Sequence, residues 1–183
     1  DSLKAHFNAQ MHLSFAGIDY YSADIGGFHR WASDGDLNEL YTQWFAAGSL
    51  LDFPVRPHVW NLPKDKKTAP DSIGDFESNR DNLRLRYELI PYYYSLAHRA
   101  YREGEPIIAP MVYYFQEDPE LRKVGHEKMI GPNLLVGILA GHGQNSRQVY
   151  FPKGTWIDYR TDERHVSEGR NSDFLSVYKN ARF

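Results

Sequence analysis

The residues best suited to do chemistry stand at two places in the chain. Asp24 lies near the end of the apolar run Ile18–Ile25 and is followed by Gly26-Gly27. His58 follows Arg56-Pro57 at the end of a second short run that begins at Phe53. A carboxylate at a strand end accepts hydrogen bonds from ligand hydroxyls, and adjacent glycines let the backbone come close to the ligand. An imidazole donates a directional hydrogen bond without burying a fixed charge. Arg56 is the residue able to pair with Asp24 and hold it ionised. Each also has a plainer reading. A strand-end Asp is more often a turn cap or a structural ion-pair partner, and a lone His is usually a satisfied core or surface residue.

Other chemistries lack their residues. The chain has no Cys, which removes disulfides, thiolate zinc sites and cysteine nucleophiles. Its 8 His include no HxH, no HExxH and no i, i+4 pair, so no metal site is expected. Gly141-His142-Gly143 lacks the third glycine of a dinucleotide fingerprint, and no G-x-S-x-G elbow occurs. No cofactor is implied. Lys64, Lys66 and Lys67 beside Asp65 read as a solvated cluster.

Charge points the same way. Lys and Arg total 21 and Asp and Glu 24, a net charge of −3, so there is no basic footprint for nucleic acid or an anionic membrane. The apolar stretches Ile107–Phe115 and Leu134–Ala140 fall short of the roughly 18 residues that span a bilayer. Aromatics are abundant, with 4 Trp, 13 Tyr and 10 Phe. They suit a large core. They also suit sugar binding, because pyranose C–H faces stack on rings while sugar hydroxyls seek carboxylates, Asn and His. The sequence names no compartment.

These side chains must be held by regular elements. Leu3 to Phe15 reads as a helix closed near Gly17, and Ile18–Ile25 as a buried strand running into a glycine turn. Asp36 with Glu39 three residues on gives a box-like helix start. Leu37, Leu40, Tyr41, Trp44 and Phe45 form its apolar face, and Gly48 is expected to close it. Phe53–Trp60 contains Pro54 and Pro57, so it allows a very short strand at most. Residues 61–77 read as a loop. Ser78 and Asp81 open a long helix to about Glu103, with the stripe Leu83, Tyr87, Ile90, Tyr94, Ala97 and Tyr101 expected to face the core and a kink expected at Pro91. Strands are expected at Ile107–Tyr114, Leu134–Leu139 and Arg147–Phe151, with a turn or short helix at Asp118–Arg122. A type I turn at Phe151–Gly154 would return Trp156–Arg160 as a hairpin partner. Helices thus dominate before about residue 105 and strands after it.

An alternating β/α run demands a parallel sheet, and two parallel strands cannot bury both faces. The chain therefore reads as a piece of a longer polypeptide, cut at Asp1 and Phe183. In a β/α barrel the chemistry sits where strands end, which here means Asp24–Phe28 and Arg56–His58.

These strings resemble glycoside hydrolase family 31, the family of α-glucosidases, α-xylosidases and related transglucosylases. The resemblance rests on Phe15-Ala16-Gly17-Ile18, Ser22–Phe28, Glu39-Leu40-Tyr41 with Trp44, and Arg56-Pro57-His58. Leu85-Arg86-Tyr87, Ile90-Pro91-Tyr92, Gly104-Glu105-Pro106, Gly131–Val136 and Val149–Trp156 extend it over residues 11–160. It implies an α/β part followed by a β part. Residues 1–104 would be the C-terminal portion of a (β/α)8 TIM barrel carrying strands seven and eight. Residues 105–183 would be part of the antiparallel β-sandwich that follows.

The resemblance further implies that Asp24 belongs to the pocket wall at the non-reducing sugar, that His58 hydrogen-bonds that sugar, and that Phe28 lies at the pocket rim. The family's chemistry is retaining, with two aspartates roughly 5–5.5 Å apart. Its W-x-D-M-N-E-like and G-D-N-like strings do not occur here, so no catalytic residue is assigned. The expected partners are an α-glucoside or oligosaccharide and the missing N-terminal part of the enzyme. The departures are Pro57, where many members have Asn or Ser, and Asn61–Asp65 and Ala69–Ser72, where many have an acidic-Pro-Trp string. The expected function is that of an α-glucosidase-type fragment, inactive alone. The alternatives are an α-xylosidase or α-transglucosylase of the same family, or a non-catalytic carbohydrate-binding module.

Overall fold

Helix α1 spans Ser2–Phe15 and buries Leu3, His6, Phe7, Gln10 and Ser14. It ends where Gly17 adopts φ +75° and the amides of Ala16, Gly17 and Ile18 turn back to the carbonyls of Leu13 and Ser14 at 2.9–3.1 Å. The computed structural model describes residues 2–26, 36–57 and 69–169, together with the strand at 174–178.

The expected strand at Ile18–Ile25 is an extended segment with a single parallel bridge, Asp24 to Arg56. A two-membered parallel ladder interrupted by proline gives few evenly spaced bonds, so it stays minimal. Helix α2 spans Asn38–Leu51. Its cap is Leu37, with no side-chain cap bond, instead of Asp36. Asp36 accepts from the Asn38 amide at 2.9 Å and from the Asn38 side chain at 2.7 Å. Gly48 lies inside α2 and does not close it. A Cβ there would lie 2.8 Å from Ile25 Cδ1 and 3.1 Å from Asp52 Oδ2. Glycine thus lets the helix press onto the segment that carries Asp24.

The long helix is two helices, α3 (Phe76–Glu88) and α4 (Ile90–Glu103), joined at Leu89. Pro91 has no N–H to offer the preceding turn, which explains the break two residues before it. Asp75 caps α3 by accepting from the Ser78 amide at 2.8 Å, so the helix starts earlier than expected. The expected core stripe holds only at Leu83 and Ala97, which pack against the core. Tyr87, Tyr94 and Tyr101 are 70%, 71% and 91% exposed, whereas Leu85, Leu89, Tyr93 and Leu96 are buried. The inward face is the neighbouring row Leu85, Leu89, Tyr93 and Leu96, spaced 4, 4 and 3. The α4 helix closes at Gly104 with φ +73°.

In the second half, β1 is short (Ile108–Pro110) and gives way to one helical turn, α5 (Met111–Tyr114), instead of continuing to Tyr114. A 3₁₀ turn covers Pro119–Lys123. Strands β2 (Glu127–Ile130) and β3 (Leu134–Gly137) complete an antiparallel sheet in the order β1-β2-β3. β2 escaped detection because Glu127 and Lys128 interrupt its apolar pattern, yet all four of its residues are buried. The expected hairpin between Arg147–Phe151 and Trp156–Arg160 does not form. Instead β4 (Ser146–Tyr150) pairs with β7 (Phe174–Tyr178), and β5 (Gly154–Ile157) pairs with β6 (Arg164–Ser167).

The two halves share one core. Leu3, Phe7, Tyr41, Phe45, Leu51 and Leu96 pack in the same cluster as Ile107, Ile108, Ile130 and Ile138. Each such side chain contributes ~1.5–3 kcal/mol by leaving water. Gly131, with φ +57°, fits where a Cβ would lie 2.5 Å from Leu96 Cδ2 and 2.6 Å from the Tyr92 hydroxyl. Tyr92 donates there to the Ile130 carbonyl at 2.9 Å.

Candidate functional site

Two stretches distant in sequence meet at Asp24 and Arg56. The Ile25 amide donates to the Arg56 carbonyl at 2.9 Å, and Arg56 Nε lies 3.3 Å from Asp24 Oδ1. The Asp24 side chain is 9% exposed and that of Arg56 54% exposed. A shielded carboxylate is therefore flanked by a cation open to solvent, at the ends of two parallel segments. The anticipated pairing of these residues is present. Phe28 and His58 lie outside the described residues.

A buried network holds the two segments in place. Asp52 is fully buried just beyond α2. His6 Nε2 lies 2.8 Å from Asp52 Oδ1, and the Gln10 side chain donates to the Leu51 carbonyl at 2.6 Å. Tyr21 stacks on His6 with ring centroids 5.0 Å apart, and its carbonyl accepts from the Phe53 amide at 3.1 Å. Arg86 donates to the Ser49 carbonyl at 2.6 Å and lies over the Phe53 ring at 4.8 Å. Tyr93 donates to the Leu50 carbonyl at 2.8 Å. Burial raises the Asp52 carboxyl above the usual range, opposed by His6, the Ala23 amide and Arg86. Burial likewise lowers Arg86.

Asp19 ties the same segment to the second half, accepting from the Ile107 amide at 2.8 Å; burial raises its carboxyl and that bond opposes the rise. Sequence reasoning missed His6, Asp52 and Arg86. The available signal was a carboxylate set directly after Leu50-Leu51 in an apolar stretch.

What the arrangement can do is bind. One shielded carboxylate and one guanidinium suit hydroxyl groups, while acid–base or nucleophilic cleavage of a glycosidic bond needs a second carboxylate at a fixed separation. Among the described residues, no group of three or more His, Asp or Glu is placed to hold a metal.

Residues 1–96 match the profile described as the glycosyl hydrolases family 31 TIM-barrel domain, and residues 104–179 that of the glycosyl hydrolase family 31 C-terminal domain. An alpha-glucosidase of Saccharolobus solfataricus is 32% identical over 167 residues, covering 89% of this chain and 24% of that protein. An alpha-xylosidase of the same organism is 30% identical over 174 residues, covering 94% of this chain and 23% of that protein. The crystal structure of a family 31 alpha-xylosidase from a soil metagenome, complexed with xylose, matches with a TM-score of 0.73 at 26% identity, covering 93% of this chain and 27% of that one. The chain thus spans about a quarter of the length of these relatives. Helices around a parallel bridge, followed by antiparallel strands in a shared core, agree with both profiles: the chain belongs to glycosyl hydrolase family 31, as a TIM-barrel part followed by its C-terminal domain.

Proposed function

We propose that this chain is part of a retaining α-glucosidase-type hydrolase and supplies one wall of its sugar pocket. Asp24 accepts from hydroxyls of the non-reducing sugar, Arg56 orients Asp24, His58 donates to the same sugar, and Phe28 lines the rim. The nucleophile and the acid/base are carboxylates from outside these residues. The observation that carries the reading is the Asp24–Arg56 contact at the ends of two parallel segments, the place where β/α barrels do their chemistry. The barrel part is taken to end, and the β-domain to begin, at about residue 105, between the α4 cap at Gly104 and β1.

The alpha-xylosidase relative, nearly as similar as the alpha-glucosidase, supports a second reading in which the sugar is xylose. Assay of the full-length protein on chromogenic α-glucosides and α-xylosides separates the two by their kcat/KM ratio. In the preferred reading α-glucosides win, and the 183-residue chain alone turns over neither substrate. His58→Ala in the full-length protein lowers kcat/KM by a few kcal/mol at most, through loss of one hydrogen bond to a partly charged sugar. An unchanged kcat/KM removes His58 from the pocket.

A further inference from the structure

Two acidic side chains, one at each end of α2, hold distant parts of the chain. Glu39 accepts from the Gly143 amide at 2.7 Å and pairs with His142 at 3.1 Å, which ties the first turn of α2 to the β-domain. Asp52, just past the last turn, holds the segment that carries Asp24.

Asp52 is 0% exposed and His6, 2.8 Å away, is 6% exposed. A buried pair of this kind is a weak source of stability, because apolar residues of the same volume often serve as well or better. What it supplies is geometry. His6 Nε2 fixes Asp52 Oδ1, and the Gln10 side chain lies 3.5 Å from the same oxygen. The Ala23 amide, one residue before Asp24, faces the carboxylate. Ile25, one residue after Asp24, meets the same helix surface: a Cβ on Gly48 would lie 2.8 Å from Ile25 Cδ1 and 3.1 Å from Asp52 Oδ2. The backbone on either side of Asp52 is also tied. Its own amide donates to the Gly48 carbonyl at 2.9 Å, and the next amide, of Phe53, donates to the Tyr21 carbonyl at 3.1 Å. One carboxylate thus sets where residues 23–25 lie against the stretch that leads to Arg56.

We propose that Asp52 and His6 are positioning residues of the sugar site, which fix the backbone at Ala23 and through it the Asp24 carboxylate. The proposal rests on the reading of Asp24 as a sugar-binding group.

A double-mutant cycle in the full-length protein tests it, with p-nitrophenyl α-glucoside and α-xyloside as substrates. Asp24→Asn should lower kcat/KM about a hundredfold, and Asp52→Asn about tenfold, chiefly through KM, because a displaced Asp24 loosens sugar binding before and during reaction. The double variant should be no worse than Asp24→Asn alone, since Asp52 acts only through Asp24. His6→Leu should match Asp52→Asn, and His6→Gln, which keeps an N–H donor, should recover most of the loss. If Asp52→Asn does not fold, the same cycle is run with His6→Leu. Losses that multiply in the double variant overturn the positioning role and leave the Asp24 reading standing. So does a wild-type kcat/KM in folded Asp52→Asn. A wild-type kcat/KM in Asp24→Asn overturns the Asp24 reading and the positioning role with it.

Discussion

Lys128 is fully buried on β2 and donates to the Phe7 carbonyl of α1 at 2.6 Å. Burial pushes its ammonium down to about 7. A lysine whose folded pKa lies below its unfolded value binds fewer protons when folded, so stability rises with pH from about 7 towards the ordinary lysine range. Lys128→Met in the full-length protein should therefore raise Tm most at or below pH 7, by an amount equivalent to ~1–2 kcal/mol, and the gain should shrink by pH 10. Melting curves at pH 6, 7 and 9.5 check this; a gain that grows with pH would contradict the assignment. Arg56 calls for a smaller effect. Its guanidinium is half exposed and solvent screens the pair, so Arg56→Ala should cost ~1 kcal/mol or less in kcat/KM by letting Asp24 swing. Steady-state kinetics with unchanged Tm would separate that from general destabilisation. At this scale the contact between Asp24 and Arg56 was legible because strand-end polar residues beside glycine and proline break an apolar run. It hid His6 and Asp52, whose meaning depends on a contact between residues 46 positions apart.

Elements follow from close approach as much as from propensity. Helix α2 and the turn at Gly131 both depend on an absent Cβ. Gly131→Ala forces a side chain into Leu96 and Tyr92 at a left-handed φ, and should destabilise the protein by ~2–4 kcal/mol. Denaturant unfolding reads this directly, and an equal-stability variant would show that the β-domain can shift off α4. Element types were legible for α1, α2, β3 and β4, where apolar spacing and turn residues agree. Pairing was not. Phe151-Pro152-Lys153-Gly154 has turn composition, yet β4 finds β7 and β5 finds β6, because register is set by partners farther along the chain. The α3–α4 stripe misled for a related reason. A perfect heptad reports an apolar face but not which neighbour covers it.

At the scale of the molecule, that face has a consequence. Tyr87, Ile90, Tyr94 and Tyr101 all stand exposed along α3 and α4. The 183-residue chain by itself should therefore bind a hydrophobic dye and self-associate. Tyr94→Lys with Tyr101→Lys should reduce both without lowering Tm. Dye fluorescence and sedimentation measure this, and a monodisperse, dye-silent wild-type chain would refute it.

The grip of Glu39 on the 142–143 loop reaches further still. Its two oxygens clasp the His142 ring and the Gly143 amide, the latter at φ +68°, so a loop of the β-domain is moored to the first turn of α2. A chimaera that grafts a homologue's C-terminal domain onto this barrel must bring a loop of the same length with glycine at that corner, or the graft will cast the helix loose.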